Sequence, residues 1–262
     1  MMRNKPSKDL HSPILSISVV SHEQIHLVLN LLQDIEKHCQ SSSIELLLTI
    51  NLPETISFVR EGFSFPIRQI DNVQPLGFGA NHNQAFTHAK GDFFCVINPD
   101  IRFDSDPFQS LIQCLHDAKI GVVAPVVRNA QGEVEDSARY FPTPFKILCK
   151  AFGKCKGSDY IVGNAPISPD WVGGMFMLFR RAVFQQLGGF NERYFLYYED
   201  VDLCARLRLR GYEVMLVPQA QVVHHAQRSS HRNLKYLRWH LQSMLRFFLS
   251  SAFWQWQYQK LK

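Results

Sequence analysis

Residues 92–100 read Asp-Phe-Phe-Cys-Val-Ile-Asn-Pro-Asp, an apolar run that ends abruptly in a polar tripeptide. The apolar part is typical of a buried strand, and the proline with its polar neighbours ends that strand in a turn. Asp100 then lies just beyond the strand, where a carboxylate can bind a hard divalent cation that bridges phosphates. On its own the tripeptide is equally typical of an ordinary turn, so the metal interpretation needs support from elsewhere in the chain.

Similar strand patterns precede this one. Ile14–Val20 is a β-branched run, and apolar residues at helical spacing follow it as far as Cys39. Ile44–Ile50 and Ile67–Ile70 have the composition of two further short strands. Strands that are joined by helices predict right-handed βαβ units. We therefore expect an α/β fold with a Rossmann-like, mostly parallel sheet that is flanked by helices.

Polar side chains stand at the ends of these predicted strands, namely Ser21, Asn51, Asn72, Asn98 and Asp100. Open parallel sheets bind their ligands outside the carboxyl ends of the strands. The sequence therefore predicts that these side chains gather along one edge of the sheet, where they can bind a nucleotide.

The second half of the chain is less regular. Its segment Gln131–Ile167 contains several glycines and prolines, and we expect it to form loops near the acceptor side of the site. The predicted elements are helices at Asn81–Lys90 and Phe108–Ala118, strands at Gly121–Val127 and Trp171–Phe179, helices that end at Leu187 and Arg210, and strands at Val214–Val217 and Gln221–His224.

The segment Gly77–Asn83 places small residues at a loop-to-helix junction, where exposed backbone amides suit anionic or nucleotide groups. It is not a Rossmann fingerprint, because His82 stands where the third glycine would fall, and no Gly-Lys-Ser/Thr of a P-loop follows. The alternative is a plain helix N-terminus that is capped by asparagine.

An aromatic run at Tyr194–Tyr198 is followed by Glu199, Asp200 and Asp202, which open a helix. Acidic residues in a first turn complement the helix dipole, and Asp202 can form an i,i+4 pair with Arg206. That explanation does not account for Glu199 and Asp200, which directly follow the aromatic residues. An aromatic wall excludes water and favours sugar faces, and a carboxylate there can act as a general base.

His224 follows an apolar strand and can supply an imidazole metal ligand. The chain contains 11 histidines, and a single histidine is more often structural than a ligand. The metal interpretation of His224 therefore depends on the other motifs.

The bulk composition excludes several classes of protein. The net charge is +5 without dense Lys/Arg blocks, so we expect no nucleic-acid partner. The six cysteines form no CxxC pair, which argues against a zinc ribbon or redox dithiol and indicates reduced thiols in a cytosol. We expect residues 1–13 to be a flexible N-terminus rather than a signal peptide. No apolar run approaches the roughly 20 residues that cross a bilayer.

Residues 231–262 form a basic and aromatic segment after a domain that we place at residues 14–230. Apolar residues recur at helical spacing from Leu234 to Phe248, which predicts an amphipathic helical tail. Such a helix suits the lipid headgroup region, so one hypothesis is peripheral membrane contact. The alternative is that the tail packs on the domain or in a homodimer interface.

Several motifs occur in a fixed order along the chain: Ser18–Ser21, Asn72–Asn83, Asn98–Asp100, Trp171–Gly174 with Arg180 and Arg181, Gly188–Glu192, Glu199–Leu203 with Arg206, and Ala220–His224. In this order they resemble the inverting GT-A glycosyltransferases of family two, in particular the bacterial rhamnosyltransferase-like branch that builds surface polysaccharides. The resemblance covers residues 14–230.

The resemblance implies a GT-A fold and an enzyme that moves a sugar, with rhamnose as one candidate. The donor would be a nucleoside-diphosphate sugar, and the acceptor a saccharide or lipid-linked glycan at the inner face of the plasma membrane. It implies that Asp100 and His224 contact a Mg²⁺ or Mn²⁺ ion bound to the diphosphate. Asp200 would be the base that deprotonates the acceptor hydroxyl, and attack from the opposite face would invert the anomeric carbon.

The strand ends, the Gly77–Asn83 segment and the carboxylates beside the aromatic wall, together with the resemblance, predict two sets of contacts. Expected donor contacts are Ser21, Asn51, Asn72, Gly77, Asn83 and Asn98, and expected acceptor contacts are Trp171, Gly173, Gly174 and Glu199. The sequence departs from the family at Asn51–Glu54, where many relatives have an aspartate-serine loop that reads the base, and at Asn191, where aspartate is usual. Whether the donor carries uracil or thymine, as UDP or dTDP, is therefore open.

Two other functions fit the same sheet. A sugar-1-phosphate nucleotidyltransferase also places metal-binding carboxylates on a nucleotide-binding sheet, but it normally needs a glycine-rich basic loop that residues 21–24 lack. A non-catalytic glycan-binding protein on the same fold would explain the departures at Asn51 and Asn191, although the retained carboxylates argue against it.

Overall fold

The computed structural model describes residues 15–39, 43–56, 58–151, 157–225 and 234–260. The strands are β1 (Leu15–Ser21), β2 (Ile44–Ile50), β3 (Ile67–Asp71), β4 (Phe93–Ile97), β5 (Ile101–Arg102), β6 (Ile120–Asn129), β7 (Ala138–Arg139), β8 (Trp171–Val172), β9 (Phe176–Arg180) and β10 (Glu213–His224). The α-helices are α1 (Ile25–His38), α2 (Phe78–Phe86), α3 (Phe108–Cys114), α4 (Pro144–Ala151), α5 (Arg181–Leu187), α6 (Glu199–Leu209), α7 (Leu234–Phe248) and α8 (Ser251–Lys260).

Eight strands form one sheet in the order β3-β2-β1-β4-β9-β6-β10-β5, and β7 pairs with β8 in a second, two-stranded sheet. β1 to β4 all run parallel, and β10 runs parallel to β6. β2 is buried along its whole length, which explains its continuous apolar run, because helices cover both faces of a parallel sheet. The prediction of a mostly parallel sheet flanked by helices is confirmed.

Three details differ from the predicted elements. Trp171–Phe179 is two strands rather than one, because the chain turns at Gly173–Met175 and only β9 enters the large sheet, antiparallel to β4 and β6. Val214–Val217 and Gln221–His224 are one strand, β10, with an irregular register between them. The segment Gln131–Ile167 is not all loop, since it contains β7 and α4.

Three predicted helices also have different bounds. α2 begins three residues before Asn81 and ends at Phe86, so the predicted helix to Lys90 is too long. α3 ends at Cys114 rather than Ala118, and α6 ends at Leu209. Helix ends that depend on tertiary contacts are the least predictable part of such a pattern.

The C-terminal tail packs on the domain. Phe247, Ala252 and Phe253 are buried in the same apolar cluster as Leu203 of α6. The outer face of α7 carries a row of leucines that remain exposed, namely Leu234, Leu237, Leu241 and Leu245. The predicted N-terminus at residues 1–13 and the predicted boundary at residue 230 lie outside the described residues.

Among the described cysteines, Cys39, Cys95, Cys114 and Cys204 are free thiols. Across the part of the chain that the structure describes, no helix combines the length and apolarity needed to span a membrane.

Candidate active site

A cleft of about 670 Å³ lies at the carboxyl ends of β1, β2 and β4. Its lining includes Asn51, Asn98 and Asp100, so the structure brings these three side chains to one edge of the sheet. Phe78 and Asn81, which also line the cleft, belong to the Gly77–Asn83 segment that the sequence indicates as a nucleotide contact. The sequence did not point to other lining residues, namely His22, Phe195, Lys235, Tyr236 and Trp239. The cleft has the position at which open α/β sheets bind their ligands.

Asn51 and Asn81, which line the cleft, belong to one amide network with Asn72. The Nδ2 of Asn72 donates to the Oδ1 of Asn51 at 2.8 Å and to the Oδ1 of Asn81 at 2.6 Å. Asn51 Oδ1 also accepts the backbone N–H of Leu76 at 2.8 Å, and its Nδ2 donates to the Leu76 carbonyl at 3.1 Å. The three amides therefore fix the loop between β3 and α2 against the end of β2, and Asn51 remains part of the cleft wall.

Two other expected donor residues have structural partners. The buried hydroxyl of Ser21 accepts the backbone N–H of Gln24 at 3.2 Å. Gly77 precedes α2, and a Cβ there would lie 2.5 Å from the Phe195 carbonyl oxygen. Phe78 donates its backbone N–H to that same carbonyl at 2.9 Å. Glycine is required at position 77 because two backbone segments approach closely there.

Asn83 lies away from the cleft. Its side chain donates to the Phe190 carbonyl and accepts the Phe190 N–H, both at 2.9 Å, and it also donates to Glu192. It lines a separate hollow beside α2 and α5. The structure therefore does not bring Asn83 to the expected nucleoside pocket, because its face of α2 is used to hold the Gly188–Glu192 turn.

Asp100 and His224 meet at one end of the cleft. The two-residue strand β5, which the sequence analysis missed, pairs antiparallel with β10 and sets Ile101 opposite His224. His224 Nε2 lies 3.2 Å from Asp100 Oδ2, and its Nδ1 lies 2.8 Å from Glu135 Oε2. Burial lowers the pKa of His224, but hydrogen bonds and charge from both carboxylates outweigh it and raise that pKa to about 9.

These residues fit a divalent cation. The other carboxylate oxygen of Asp100 is buried and has no hydrogen-bond partner among the described residues. Carboxylate oxygen and neutral imidazole nitrogen are suitable ligands for Mn²⁺, and Glu135 holds the far nitrogen of the ring as outer partners of metal-bound histidines do. Because the two carboxylates raise the pKa of His224, binding of a cation at Nε2 would have to release the proton that Nε2 shares with Asp100. Within the described ranges, no group of three or more His, Cys, Asp or Glu side chains could hold a metal ion. The remaining ligands would have to come from a bound molecule or water.

Asp200 lies at the start of α6. Its Oδ2 accepts the backbone N–H of Gly174 at 2.9 Å, and its Oδ1 accepts the N–H of Val201 at 2.8 Å. The two residues that precede α6 on the aromatic run, Tyr197 and Tyr198, have φ angles of 69° and 67°. This left-handed backbone is costly for bulky residues and is concentrated at functional sites in proteins. This turn leads into the first turn of α6, where the Asp200 carboxylate contacts the backbone N–H of Gly174.

The two neighbouring carboxyl groups differ in their electrostatics. Burial raises the pKa of Asp200, and the backbone N–H bonds from Gly174 and Val201 offset that only in part. Burial and the charge of Asp200 together raise the pKa of Glu199 well above its ordinary value. The charge of Asp200 adds to the effect of burial at Glu199, so Glu199 holds a proton more tightly than an ordinary glutamate does. A carboxylate with a raised pKa, such as Asp200, is the better proton acceptor.

Glu199 does not fit the expected contact with an acceptor. Only 5% of it is exposed, and its Oε2 has no hydrogen-bond partner within the described parts of the chain. The side chain of Glu199 packs close to Gly79 of α2 instead of an open surface.

The other expected acceptor residues gather beside Asp200. Gly173 donates its N–H to the Ser137 carbonyl at 2.9 Å, which joins the Gly173–Gly174 turn to the β7–β8 pair. Trp171 of β8 donates its Nε1 to the Tyr140 carbonyl at 3.1 Å, and the guanidinium of Arg139 lies over its ring at 5.6 Å. The structure therefore places Trp171 and both glycines on the side of the molecule that carries Asp200.

Comparison with known sequences agrees with this geometry. The chain matches the family described as glycosyltransferase like family 2 over residues 13–242. N-acetylglucosaminyl-diphospho-decaprenol L-rhamnosyltransferase of Mycobacterium tuberculosis is 32% identical over 152 residues, which are 54% of this chain and 50% of that relative. Rhamnosyltransferase WbbL of Escherichia coli is 30% identical over 185 residues, 65% of this chain and 69% of the relative. The match thus spans half the length of the first relative.

Solved structures are similar in fold. GalNAc-T7 with UDP, GalNAc and Mn²⁺ superposes with a TM-score of 0.67 at 13% identity, over 92% of this chain and 48% of that chain. The mannosyltransferase PcManGT from Pyrobaculum calidifontis, in complex with GDP-Man and Mn²⁺, gives 0.61 at 18% identity, over 90% and 65%. Both likenesses identify the GT-A fold. With its family match over most of its length, the chain belongs to glycosyltransferase like family 2.

Proposed function

We propose that this protein is an inverting glycosyltransferase that acts in bacterial surface polysaccharide synthesis, with rhamnose as the first candidate sugar. The observation that carries the proposal is the pair of carboxylate centres, Asp100 in the cleft with its partner His224 and Asp200 beside Gly174. Phe78 connects the two, because it lines the cleft and its ring packs beside Gly174. A donor in the cleft would therefore present its sugar toward Asp200.

The chemistry follows from this arrangement. The acceptor hydroxyl gives its proton to the Asp200 carboxylate while its oxygen forms a bond to the anomeric carbon of the donor. The bond from that carbon to the diphosphate breaks, and the diphosphate leaves with the electron pair. Attack and departure occur on opposite faces of the sugar, so the anomeric configuration is inverted. General base catalysis of this kind contributes about 10²- to 10⁴-fold to a rate.

We infer that the enzyme is metal-dependent, with Asp100 and His224 as the protein ligands of Mg²⁺ or Mn²⁺. When bound, the cation would neutralise charge on the leaving diphosphate. The unpartnered buried oxygen of Asp100 and the Mn²⁺ in the two similar structures support this assignment.

We assign the donor nucleoside to the part of the cleft that Asn51 and Asn98 border, with Asn72 holding Asn51 in place from behind, and with UDP and dTDP as the candidate nucleotides. The acceptor would lie against Trp171, Gly173 and Gly174. The name of the mycobacterial relative describes an acceptor sugar on a diphospho-lipid, which favours a lipid-linked glycan as acceptor here.

We further propose that the tail brings the enzyme to the cytoplasmic face of a membrane. Residues 214–262 contain seven Lys and Arg and no Asp or Glu, whereas residues 1–213 contain 21 basic and 23 acidic residues. The leucine row on α7 is exposed, with Leu234 82% and Leu245 57% accessible. A basic helix with an apolar outer face suits anionic lipid. A second copy of the chain is the alternative partner for the same leucines.

Two experiments test these proposals. A thermal-shift screen of UDP, dTDP and their sugar conjugates with Mn²⁺ should raise the melting temperature for one nucleotide, because ligand that binds only the folded state stabilises it. The stabilising donor should then transfer its sugar to a lipid-linked glycan. If no nucleotide shifts the melting temperature, the donor site is wrongly assigned.

For the tail, sedimentation with anionic and neutral vesicles is compared for the wild type and a Leu237→Glu/Leu241→Glu variant. We expect the wild type to sediment with anionic vesicles only and the variant to remain in solution. A wild-type dimer that ignores vesicles and dissociates in the variant would contradict the membrane assignment.

A further inference from the structure

Helix α7 forms a wall of the nucleotide cleft. Lys235, Tyr236 and Trp239 line the cleft together with Asn51 and Asn98 from the strand ends. They lie in the basic aromatic tail, for which the sequence suggests only lipid or protein contact. The cleft therefore includes a segment far along the chain from the strands that build its floor.

The aromatic residues of this wall form one group. The Phe195 and Trp239 rings lie 4.7 Å apart at an interplanar angle of 35°, and the Tyr236 and Trp239 rings meet edge to face at 5.3 Å. The ammonium of Lys235 lies 4.8 Å from the centre of the Trp239 ring. One wall of the cleft thus combines π-systems with a positive charge.

The helix is held in place independently of the wall. Ser243 donates its hydroxyl to the Leu196 carbonyl at 2.9 Å, and Phe247 is buried in the domain core. His240 contacts the rings of both Tyr197 and Tyr198 at 5.4 Å, and these tyrosines form the strained turn before Asp200. α7 thus contacts both the donor cleft and the segment that positions the base.

We propose that α7 is part of the donor site, with Trp239 and Tyr236 packing against the nucleoside and Lys235 facing the diphosphate. The proposal rests on the proposed function, because it takes a nucleoside diphosphate as the ligand. That ligand has one aromatic end and one anionic end, which are the two chemistries that this wall offers. Stacking of a nucleobase on an aromatic side chain contributes about 1–3 kcal/mol in nucleic-acid-binding proteins.

Binding of UDP and dTDP in the presence of Mn²⁺, measured by titration calorimetry on the full chain, tests this wall. Trp239→Leu is paired with Trp254→Leu, because Trp254 lies exposed on α8 and does not line the cleft. Lys235→Gln is paired with Arg238→Gln, which removes an exposed charge from the same helix outside the lining. Circular dichroism monitors folding in each case.

We expect Trp239→Leu to weaken nucleotide binding about 10-fold or more, as loss of one stacking contact implies. Lys235→Gln should weaken it about 3-fold or more and reduce its dependence on salt, while both control variants bind like the wild type. The Lys235 change keeps the test valid if Trp239→Leu does not fold. Wild-type binding with no loss in either variant overturns the proposal for α7 and leaves the donor cleft standing. A wild type that binds neither nucleotide overturns both.

Discussion

Asp100 and Asp200 are chemically identical side chains in two different environments. Asp100 follows a sheet strand, and an imidazole that is itself held by a second carboxylate faces one of its oxygens. Asp200 opens a helix, and two backbone N–H groups hold its oxygens in a buried setting that raises its pKa. The first environment suits a cation and the second suits a proton. The surroundings, and not the residue type, assign the two roles.

The largest effect is expected from Asp200→Asn, which removes the proton acceptor and keeps the shape of the side chain. We expect sugar transfer to fall about 1,000-fold, within the range for loss of a general base. Nucleotide binding with Mn²⁺ should stay within about 2-fold of the wild type. Steady-state transfer kinetics and calorimetry check the two halves of this prediction. A variant that transferred sugar normally would show that another group takes the proton.

Asp100→Asn should weaken donor binding as well as sugar transfer. We expect Mn²⁺-dependent binding of UDP or dTDP to weaken about 100-fold, because a neutral amide replaces the anionic ligand. Asp104→Asn is the matched control, since Asp104 is an exposed carboxylate four residues further along the chain. Calorimetric titrations with and without Mn²⁺ measure the effect. Equal loss in both variants would indicate a general charge effect instead of a ligand.

Glu135→Gln tests how the His224 ring is held. Outer partners of metal-bound histidines typically change metal affinity 10- to 100-fold, so we expect Mn²⁺ to bind about 10-fold more weakly in the presence of nucleotide. Glu133→Gln, an exposed change two residues away in the same loop, should leave the affinity unchanged. Mn²⁺ affinity followed by electron paramagnetic resonance separates a metal effect from a loss of stability. No change in Mn²⁺ affinity would leave Glu135 with a purely structural role.

The pH dependence of transfer is expected to be a smaller effect. Burial raises the pKa of Asp200, and only the deprotonated form accepts a proton, so the rate should fall as the pH drops through that raised pKa. The acid limb of kcat/KM should therefore have its midpoint above about 3.9, the ordinary aspartate value. Asp200→Asn should lose this limb from its residual activity. A limb that persisted unchanged in Asp200→Asn would assign the titration to another group.

The smallest effect is expected from Glu199→Gln. Burial and the neighbouring charge raise its pKa well above the ordinary value, so we expect the native side chain to be neutral, and glutamine closely matches the shape of a neutral glutamic acid. We expect transfer within about 3-fold of the wild type and a melting temperature close to that of the wild type. A 100-fold loss would mean that Glu199 works as a carboxylate and that the roles of the two neighbours are exchanged.

The sequence predicts the floor of the site better than its walls. β2 has the predicted bounds, and β1 begins and ends one residue later than predicted. Asn51, Asn98 and Asp100 line the same cleft, as expected from their positions at strand ends. Strand patterns are local, and the carboxyl ends of parallel strands share one edge of a sheet, so these residues could be placed without a structure.

The remaining features depend on contacts between distant parts of the chain. The local pattern of Trp171–Phe179 predicts one continuous strand, but a turn interrupts it, and Gly174 in that turn donates its N–H to Asp200. β5 has two residues, too few for a periodic signal, yet it sets Asp100 beside His224. In α7 the leucines and the cleft aromatics lie on different faces of one helix. That two-faced pattern was present in the sequence and could have indicated a second contact surface.

The most direct test of the account measures nucleotide binding and sugar transfer on the same preparations of the wild type, Asp100→Asn and Asp200→Asn, with Mn²⁺ present throughout. We predict that Asp200→Asn binds the donor nucleotide like the wild type and transfers almost no sugar, whereas Asp100→Asn loses both. If Asp200→Asn lost nucleotide binding as severely as Asp100→Asn, or transferred sugar at the wild-type rate, the separation of the two carboxylate roles would be contradicted.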